Sequence, residues 1–262
     1  MAFQKEEISF MGTEDAMQTV YEAIDAHGGL DYWNGLEALE VEISASGFLF
    51  TAKRRPVLHR VRVRAATREP RLSFFDFPKP GQTSELVGAD KVRILDSEGT
   101  ILAERENPRA AFRRLRRQFL WDDLDFAYFG GYATWNYLTT PFLLVRKGFV
   151  VEALEPLQGA LAQFTRLRVT FPDDVPTHSR EQILYFDDQR LLRRLDYTAE
   201  VVGGWAHAAH LCAEYRTYDR LKAPTRRHVL PLLLGYKPLP GPILVALDVH
   251  NINPIPQSTG RV

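Results

Sequence analysis

A mainly β fold with a few helices (α+β), organised as one long antiparallel meander, is what this sequence predicts. Three observations point there. Short runs that alternate apolar and polar residues recur at similar lengths along most of the chain. Turn-forming breaks such as Pro78-Lys79-Pro80-Gly81 and Asp96-Ser97-Glu98-Gly99 separate them. Two stretches, one before Gly28 and one around 109–140, follow helical spacing instead. The 262 residues contain no repeat of fixed period, no low-complexity tract and no linker-like segment. They are read as an N-terminal arm over 1–12 and one β-rich domain over 13–262.

The elements follow in order. Thr13 is suited to cap a helix, Glu14 and Asp15 to its first turn, and Met17, Val20, Tyr21 and Ile24 to its buried face. Gly28-Gly29 stops it. Leu39 to Phe50 alternates as a strand, and so does Val57 to Arg64, with Val57, His59, Val61 and Val63 inward. Arg71–Phe77, Thr83–Val87, Lys91–Leu95 and Thr100–Glu104 continue the meander. After Asn107-Pro108, residues 109–119 read as a short basic helix. Residues 121–138 read as a longer one, aromatic on several sides and therefore buried on most of them. Strands return at Phe149–Glu155, Phe164–Phe171, three runs between His178 and Tyr218, Pro224–Leu234 and Ile243–Ile252.

Composition excludes several classes. Lys+Arg and Asp+Glu both number 33, so no global field draws the chain to nucleic acid or to an anionic membrane. The local exception, Phe112-Arg113-Arg114-Leu115-Arg116-Arg117-Gln118-Phe119, reads first as a solvated face beside an apolar one and second as a phosphate-binding patch. Cys212 is the only cysteine, which rules out an intrachain disulfide and reads as a small buried hydrophobe. No run approaches the roughly 18 apolar residues of a membrane span, so no membrane insertion is expected. The N-terminus lacks the pattern of a secretory leader, and the expected location is cytoplasmic. The familiar nucleotide, flavin, nicotinamide and zinc-hydrolase motifs are absent, so no organic cofactor is expected.

Ala23-Ile24-Asp25-Ala26-His27-Gly28-Gly29-Leu30-Asp31-Tyr32-Trp33, leading into the first strand, and Tyr185-Phe186-Asp187-Asp188-Gln189-Arg190-Leu191-Leu192-Arg193-Arg194, read as a hairpin, carry a family likeness. With the order of elements, they make the chain resemble the LolA/LolB-like lipoprotein carriers. The resemblance implies a half-barrel whose curved sheet wraps around inserted helices, here the segment around 109–140 in the concavity. It also implies a cavity for an acyl chain or small molecule. The missing export signal and lipidation cysteine depart from the carriers.

Candidate chemistry is concentrated in the block from His178 to Val229. If Asp187 opposes Leu191 and Val202 opposes Trp205 across tight hairpins, His178, Glu200 and His207 form one row across three strands. A histidine–carboxylate pair of this kind can act as general acid and base. Two histidines and a carboxylate also match an iron or zinc ligand set, although no bound metal is expected. The bland alternative is a rim of solvated polar residues. Tyr197 would pair with His210 on the other face. Arg194 and Asp196 would share the face of His178, and with Arg180 could hold an anionic group. From the aromatic helix, Tyr128 and Tyr132 would donate to an oxyanion, while Trp135 and Asn136 would line the pocket.

Two functions follow. The first is a cofactor-free enzyme performing proton transfer (isomerase, cyclase or lyase/hydratase) on a small apolar or aromatic molecule. The second is a non-catalytic binder or carrier of a hydrophobic ligand, in which filling space at Gly131 would impair binding. No nucleic-acid partner is expected, and homodimerisation is left open.

Overall fold

The computed structural model describes residues 2–233 and 236–258, with side chains from residue 14 onward. Helix α1 (Ala2–Ala26) is longer than its predicted start at Thr13. Residues 2–12 contain no proline and one glycine, so nothing local terminates the helix there. Ala16, Val20, Ala23 and Ile24 are its buried face. It ends at Gly28, whose φ is +133° and where a Cβ would meet the Arg220 carbonyl oxygen at 2.7 Å. Only glycine fits that position.

After α2 (Leu30–Asn34) comes strand β1 (Leu36–Ser46), then α3 (Phe48–Ala52), β2 (Leu58–Ala66), β3 (Arg71–Phe75), β4 (Thr83–Val87), β5 (Lys91–Leu95) and β6 (Ile101–Glu106). The predicted helix over 109–119 is instead a short turn of helix, α4 (Pro108–Ala111), followed by a 3-10 turn over Leu115–Gln118. Helix α5 (Asp123–Thr139) is close to its predicted span. Strands β7 (Val150–Leu154), β8 (Thr165–Thr170), β9 (Glu181–Phe186), β10 (Leu192–Thr198), β11 (His207–Tyr218), β12 (Leu221–Pro231) and β13 (Val245–Pro256) complete the chain.

The 13 strands among the described residues form one antiparallel sheet in the order β6-β5-β4-β3-β2-β1-β13-β12-β11-β10-β9-β8-β7. The first and last strands therefore pair at its centre, and β6 and β7 are its open edges. These edges are consecutive in the chain, so the helical insertion between them must cross the sheet. Laid flat, thirteen strands about 4.8 Å apart would separate the edges by almost 60 Å. The 17 residues of α5 span only about 25 Å. The sheet curls around α5, which packs on β2 to β6 with one side and reaches residues 178, 197 and 210 with the other. The fold is a curved half-barrel with the helix in its concavity, as predicted.

One strand face is corrected. His59 is exposed, and Leu58 is buried instead. A register shift between β1 and β2 near Ile43–Ala45 and the left-handed Arg60 (φ +49°) form an irregularity that flips the alternation.

Helix α5 is buried all round from Asp125 to Thr139, apart from the half-buried Gly130. Its two glycines have different roles. A Cβ at Gly131 would lie 3.0 Å from the Leu86 Cβ, fixed on β4, whereas one at Gly130 would lie 3.4 Å from the tip of the Phe74 ring. Gly130→Ala is expected to stabilise by about 1 kcal/mol through helix propensity. Gly131→Ala is expected to lose that gain to overpacking, ending about 1 kcal/mol less stable than the parent. Urea midpoints of the two variants check this. Gly131 sets how closely helix and strand approach, so it does not border a ligand space.

Candidate functional site

The inner wall of β9, β10 and β11 meets α5 in a buried polar cluster. His178, on the bend before β9, is 2% exposed. Its ring stacks on Tyr197 with centroids 4.1 Å apart and planes 6° apart. Its Nδ1 lies 3.2 Å from the Tyr132 hydroxyl and its Nε2 lies 2.7 Å from the Tyr137 hydroxyl. The Tyr137 hydroxyl is also 3.2 Å from that of Tyr197. Beyond it, His210 presents an edge-on ring 4.3 Å from Tyr137. The Arg227 guanidinium donates to the Tyr137 carbonyl at 2.6 Å and to the Cys212 Sγ at 3.2 Å.

Burial sets the protonation of this cluster. Desolvation, helped by the charge of Arg109, pushes His178 down to about 3. Desolvation, helped by Arg227, pushes His210 well below the usual imidazole range. Burial likewise raises the phenols of Tyr132, Tyr137 and Tyr197. His178 is thus neutral, and one ring nitrogen donates to a tyrosine oxygen while the other accepts from a tyrosine hydroxyl. Both of its lone functions are occupied within the protein.

Above this floor, at one end of the half-barrel, Arg109 spans a cleft. It donates to the carbonyls of Thr177 (2.7 Å) and His178 (3.2 Å) and pairs with the Glu200 carboxylate at 2.5 Å. The cleft has two lobes. One, of about 490 Å³, is lined by Asn107, Phe112, Arg113, Gln118 and Val201. The other, of about 250 Å³, is lined by Tyr128, Phe171, Val175, Pro176 and Arg180. Ala89, Asp90, Arg109 and Glu200 line both, so the Arg109–Glu200 pair stands between them.

The predicted row does not assemble. His178 is interior, Glu200 is on the rim, and His207 bonds Thr198 through its Nδ1 at 2.8 Å on an exposed position. The physical reason is register. Thr198, not Glu200, opposes His207, because residues 199–206 form a wider loop than the Gly203-Gly204 turn expected of them. A shift between Leu192 and Arg194 also moves β10 by one residue against β9, so Leu195 faces Leu184 and Asp196 faces Ile183. Tyr197 opposes Ala208 and Leu195 opposes His210. Tyr197 and His210 accordingly join His178 on the inner face.

Arg194 and Asp196 are on the opposite face, since Asp196 adjoins the inward Tyr197 along the strand. There Arg194 holds Asp196 through two bonds of 2.6 and 2.8 Å, and Tyr185 donates to the same carboxylate at 2.7 Å. The pair is a buried structural unit away from the cleft. Arg180 is on the cleft wall but exposed, 3.4 Å from Asp173. Trp135 donates to the Ala66 carbonyl at 2.8 Å and packs toward β2. Asn136 donates to the carbonyls of Tyr132 (2.7 Å) and Pro176 (2.8 Å), tying α5 to the bend that carries His178. Tyr132 meets His178, whereas Tyr128 packs on Phe112 and Tyr132 and lines the smaller lobe. Among the described residues, no group of three His, Cys, Asp or Glu is placed to hold a metal ion.

Two members were missed: Tyr137 and Arg109. A helix buried on every side offers no stripe to single out Tyr137. Arg109 was folded into the basic run, although Asn107-Pro108 sets it in a first turn of its own, apart from Arg113–Arg117.

No protein-family model matches the chain, and no curated protein matches it in sequence. Solved structures do. The fold is similar to that of a putative outer membrane lipoprotein-sorting protein domain from Vibrio parahaemolyticus, with TM-score 0.56 and 12% identity over 95% of each chain. It is also similar to a LolA superfamily protein from Nitrosomonas europaea, with TM-score 0.52 and 14% identity over 92% of this chain and 93% of that one. The fold is LolA-like. At such identities the likeness carries no residue across. It does correct the cytoplasmic expectation, because a neighbour named for outer-membrane lipoprotein sorting points away from that compartment. No helix among the described residues is long and apolar enough to cross a membrane.

Proposed function

We propose that this protein is a non-catalytic binder or carrier of a hydrophobic ligand, held in the cleft at Arg109 with its anionic end on that guanidinium. The observation that carries the reading is the position of Arg109. It is fixed by two backbone carbonyls between two lobes and paired with a carboxylate on the rim. A ligand carboxylate or phosphate that displaces Glu200 would join the lobes. Phe112, Val201, Phe171 and Val175 would then cover its apolar body. The LolA-like fold supports the same reading, since lipoprotein sorting, the task in the name of one structural neighbour, concerns proteins that carry acyl chains.

The proton-transfer reading loses its motive, because it depended on a histidine–glutamate row that the strands do not form. His178 instead serves as a neutral hinge between two tyrosines.

Calorimetry with dodecanoate, and with dodecanol as the neutral control, tests the proposal. Charge-assisted hydrogen bonds contribute about 1.5–3 kcal/mol. Arg109→Gln should therefore weaken dodecanoate binding by roughly tenfold or more and leave dodecanol unchanged. Glu200→Gln should strengthen dodecanoate binding. Failure of both compounds to bind, or equal loss of both in Arg109→Gln, overturns the reading.

A further inference from the structure

The segment between α4 and α5 exposes what a folded protein ordinarily hides. Leu115 is 77% exposed and Phe119 is 70% exposed. Arg113, Arg114 and Arg116 beside them are exposed as well. No salt bridge among the described residues involves these three arginines. Their neighbour Arg117 differs: Asp122 and Asp125 hold it at 2.7 and 2.5 Å, and this anchor turns the rest of the run outward. A second element contributes independently. Trp205, in the loop between β10 and β11, is 75% exposed. The two elements meet at one place, because Arg113 and Gln118 of the first and Glu200 and Val201 of the second line the same lobe of the cleft. Asp90 and Glu200 are the acids on that mouth, and Arg109 already engages Glu200.

We infer that this rim is a docking face for an anionic phospholipid bilayer, with Leu115, Phe119 and Trp205 entering the headgroup region and Arg113, Arg114 and Arg116 on lipid phosphates. The chemistry favours a bilayer over a folded partner. Isolated apolar side chains interleaved with unpaired arginines match the apolar-beneath-anionic layering of a lipid interface. Tryptophan prefers that depth. The chain has a formal net charge of zero, so any preference for anionic lipid comes from this local run. Docking here would put the mouth of the cleft against the membrane. The inference does not depend on the cleft holding a ligand.

Trp205 supplies the assay. Of the four tryptophans, Trp33, Trp121 and Trp135 are 5%, 1% and 1% exposed, so a solvent-dependent change in emission reports on Trp205. Co-sedimentation with phosphatidylglycerol vesicles is expected, with a blue shift and quenching by brominated lipid. Pure phosphatidylcholine vesicles are expected to retain little protein. Binding should weaken with added salt. Replacing Arg113, Arg114 and Arg116 with Gln should weaken partitioning by about a hundredfold, at about fivefold per arginine. Leu115→Ser with Phe119→Ser should also release the protein, and circular dichroism shows that each variant is folded. No sedimentation with phosphatidylglycerol overturns the inference. So does binding that survives both sets of substitutions, or binding without a Trp205 response. Dodecanoate calorimetry is run on the unsubstituted protein without vesicles, so the two proposals fail separately.

Discussion

Acidification below pH 6.5 is expected to unfold this protein in a transition that takes up close to three protons, with its midpoint near pH 4–5. His27, His178 and His210 are 3%, 2% and 0% exposed. Burial, the largest cause for each, lowers His27 to about 4, His178 to about 3 and His210 well below its ordinary value of 6.5. Each is a base whose folded pKa lies below its unfolded pKa. Between those values the unfolded chain binds the proton and the native one does not. Stability is therefore complete above pH 6.5, falls as the pH drops below it, and keeps falling until the folded pKa is reached. Each histidine contributes about 1.4 kcal/mol per pH unit, so three contribute about 4. Two pH units of such loss approach the roughly 5–15 kcal/mol of a typical domain. Denaturant midpoints measured from pH 8 to pH 4 give the slope. His178→Gln, which cannot titrate, should lower that slope by about a third even though it lowers stability at pH 8. A stability that is flat from pH 7 to pH 5 would show that these imidazoles are not buried as neutral bases.

The same burial explains what could be read from the chain in advance and what could not. The strands from Thr83 to Leu95 and the helix from Asp123 to Thr139 were legible because each has a period, two or 3.6, that only one element satisfies. Joining the two halves of the sheet by pairing β1 with β13 has no local signature, because the partners are about 200 residues apart. Register was the weak point. Residues 199–206 contain Gly203-Gly204, a pattern that suits a tight turn, yet the chain takes a wider path there. That choice alone moves His207 from Glu200 to Thr198. A one-residue shift at Arg193 then sends Asp196 and Arg194 to the far face, since side chains alternate. The aromatic helix was expected to supply Tyr128 and Tyr132 as donors to an oxyanion; the structure places the Tyr132 hydroxyl against the His178 ring. Tyr137, which touches His178, Tyr197 and His210 together, is recognisable only once both walls of the half-barrel are in place.

Replacing Asp125 with Ala should cost about 3–5 kcal/mol, far more than any other single ion-pair substitution at the start of α5. Asp125 is 0% exposed and is approached by Arg105 at 2.6 Å and Arg117 at 2.5 Å. Its carboxylate also accepts from the Asp122 backbone amide at 2.9 Å, while the Asp122 carboxylate accepts from the Asp125 backbone amide at 2.9 Å. This reciprocal capping box satisfies two of the free donors at the helix N-terminus. Burial, with the charge of Asp122 behind it, raises the pKa of Asp125. Burial would raise Asp122 too, but its bonds to Arg105 and to the Asp125 amide overcome that and bring it to about 2. One carboxylate of the pair is therefore held firmly charged against the two arginines, and the other completes the cap. Without Asp125, Arg105 and Arg117 keep Asp122 alone, and a buried charge loses its partner; breaking such pairs is what costs several kcal/mol. The pair of Arg55 with Asp123 one residue into the helix is the control. Asp123 is 42% exposed, and Asp123→Ala should cost less than about 1 kcal/mol. Guanidinium midpoints of the two variants separate these cases, and a loss below 1 kcal/mol in Asp125→Ala would refute the assignment. Asp125→Asn is the finer probe. The amide oxygen can still accept from Asp122, so the variant should keep part of the cap, lose the charge, and fall between the other two. Arg117 is the link to the rim. Left with Asp122 alone, it would hold the run from Arg113 to Phe119 less firmly, and the same substitution should loosen the mouth of the cleft before the sheet unfolds.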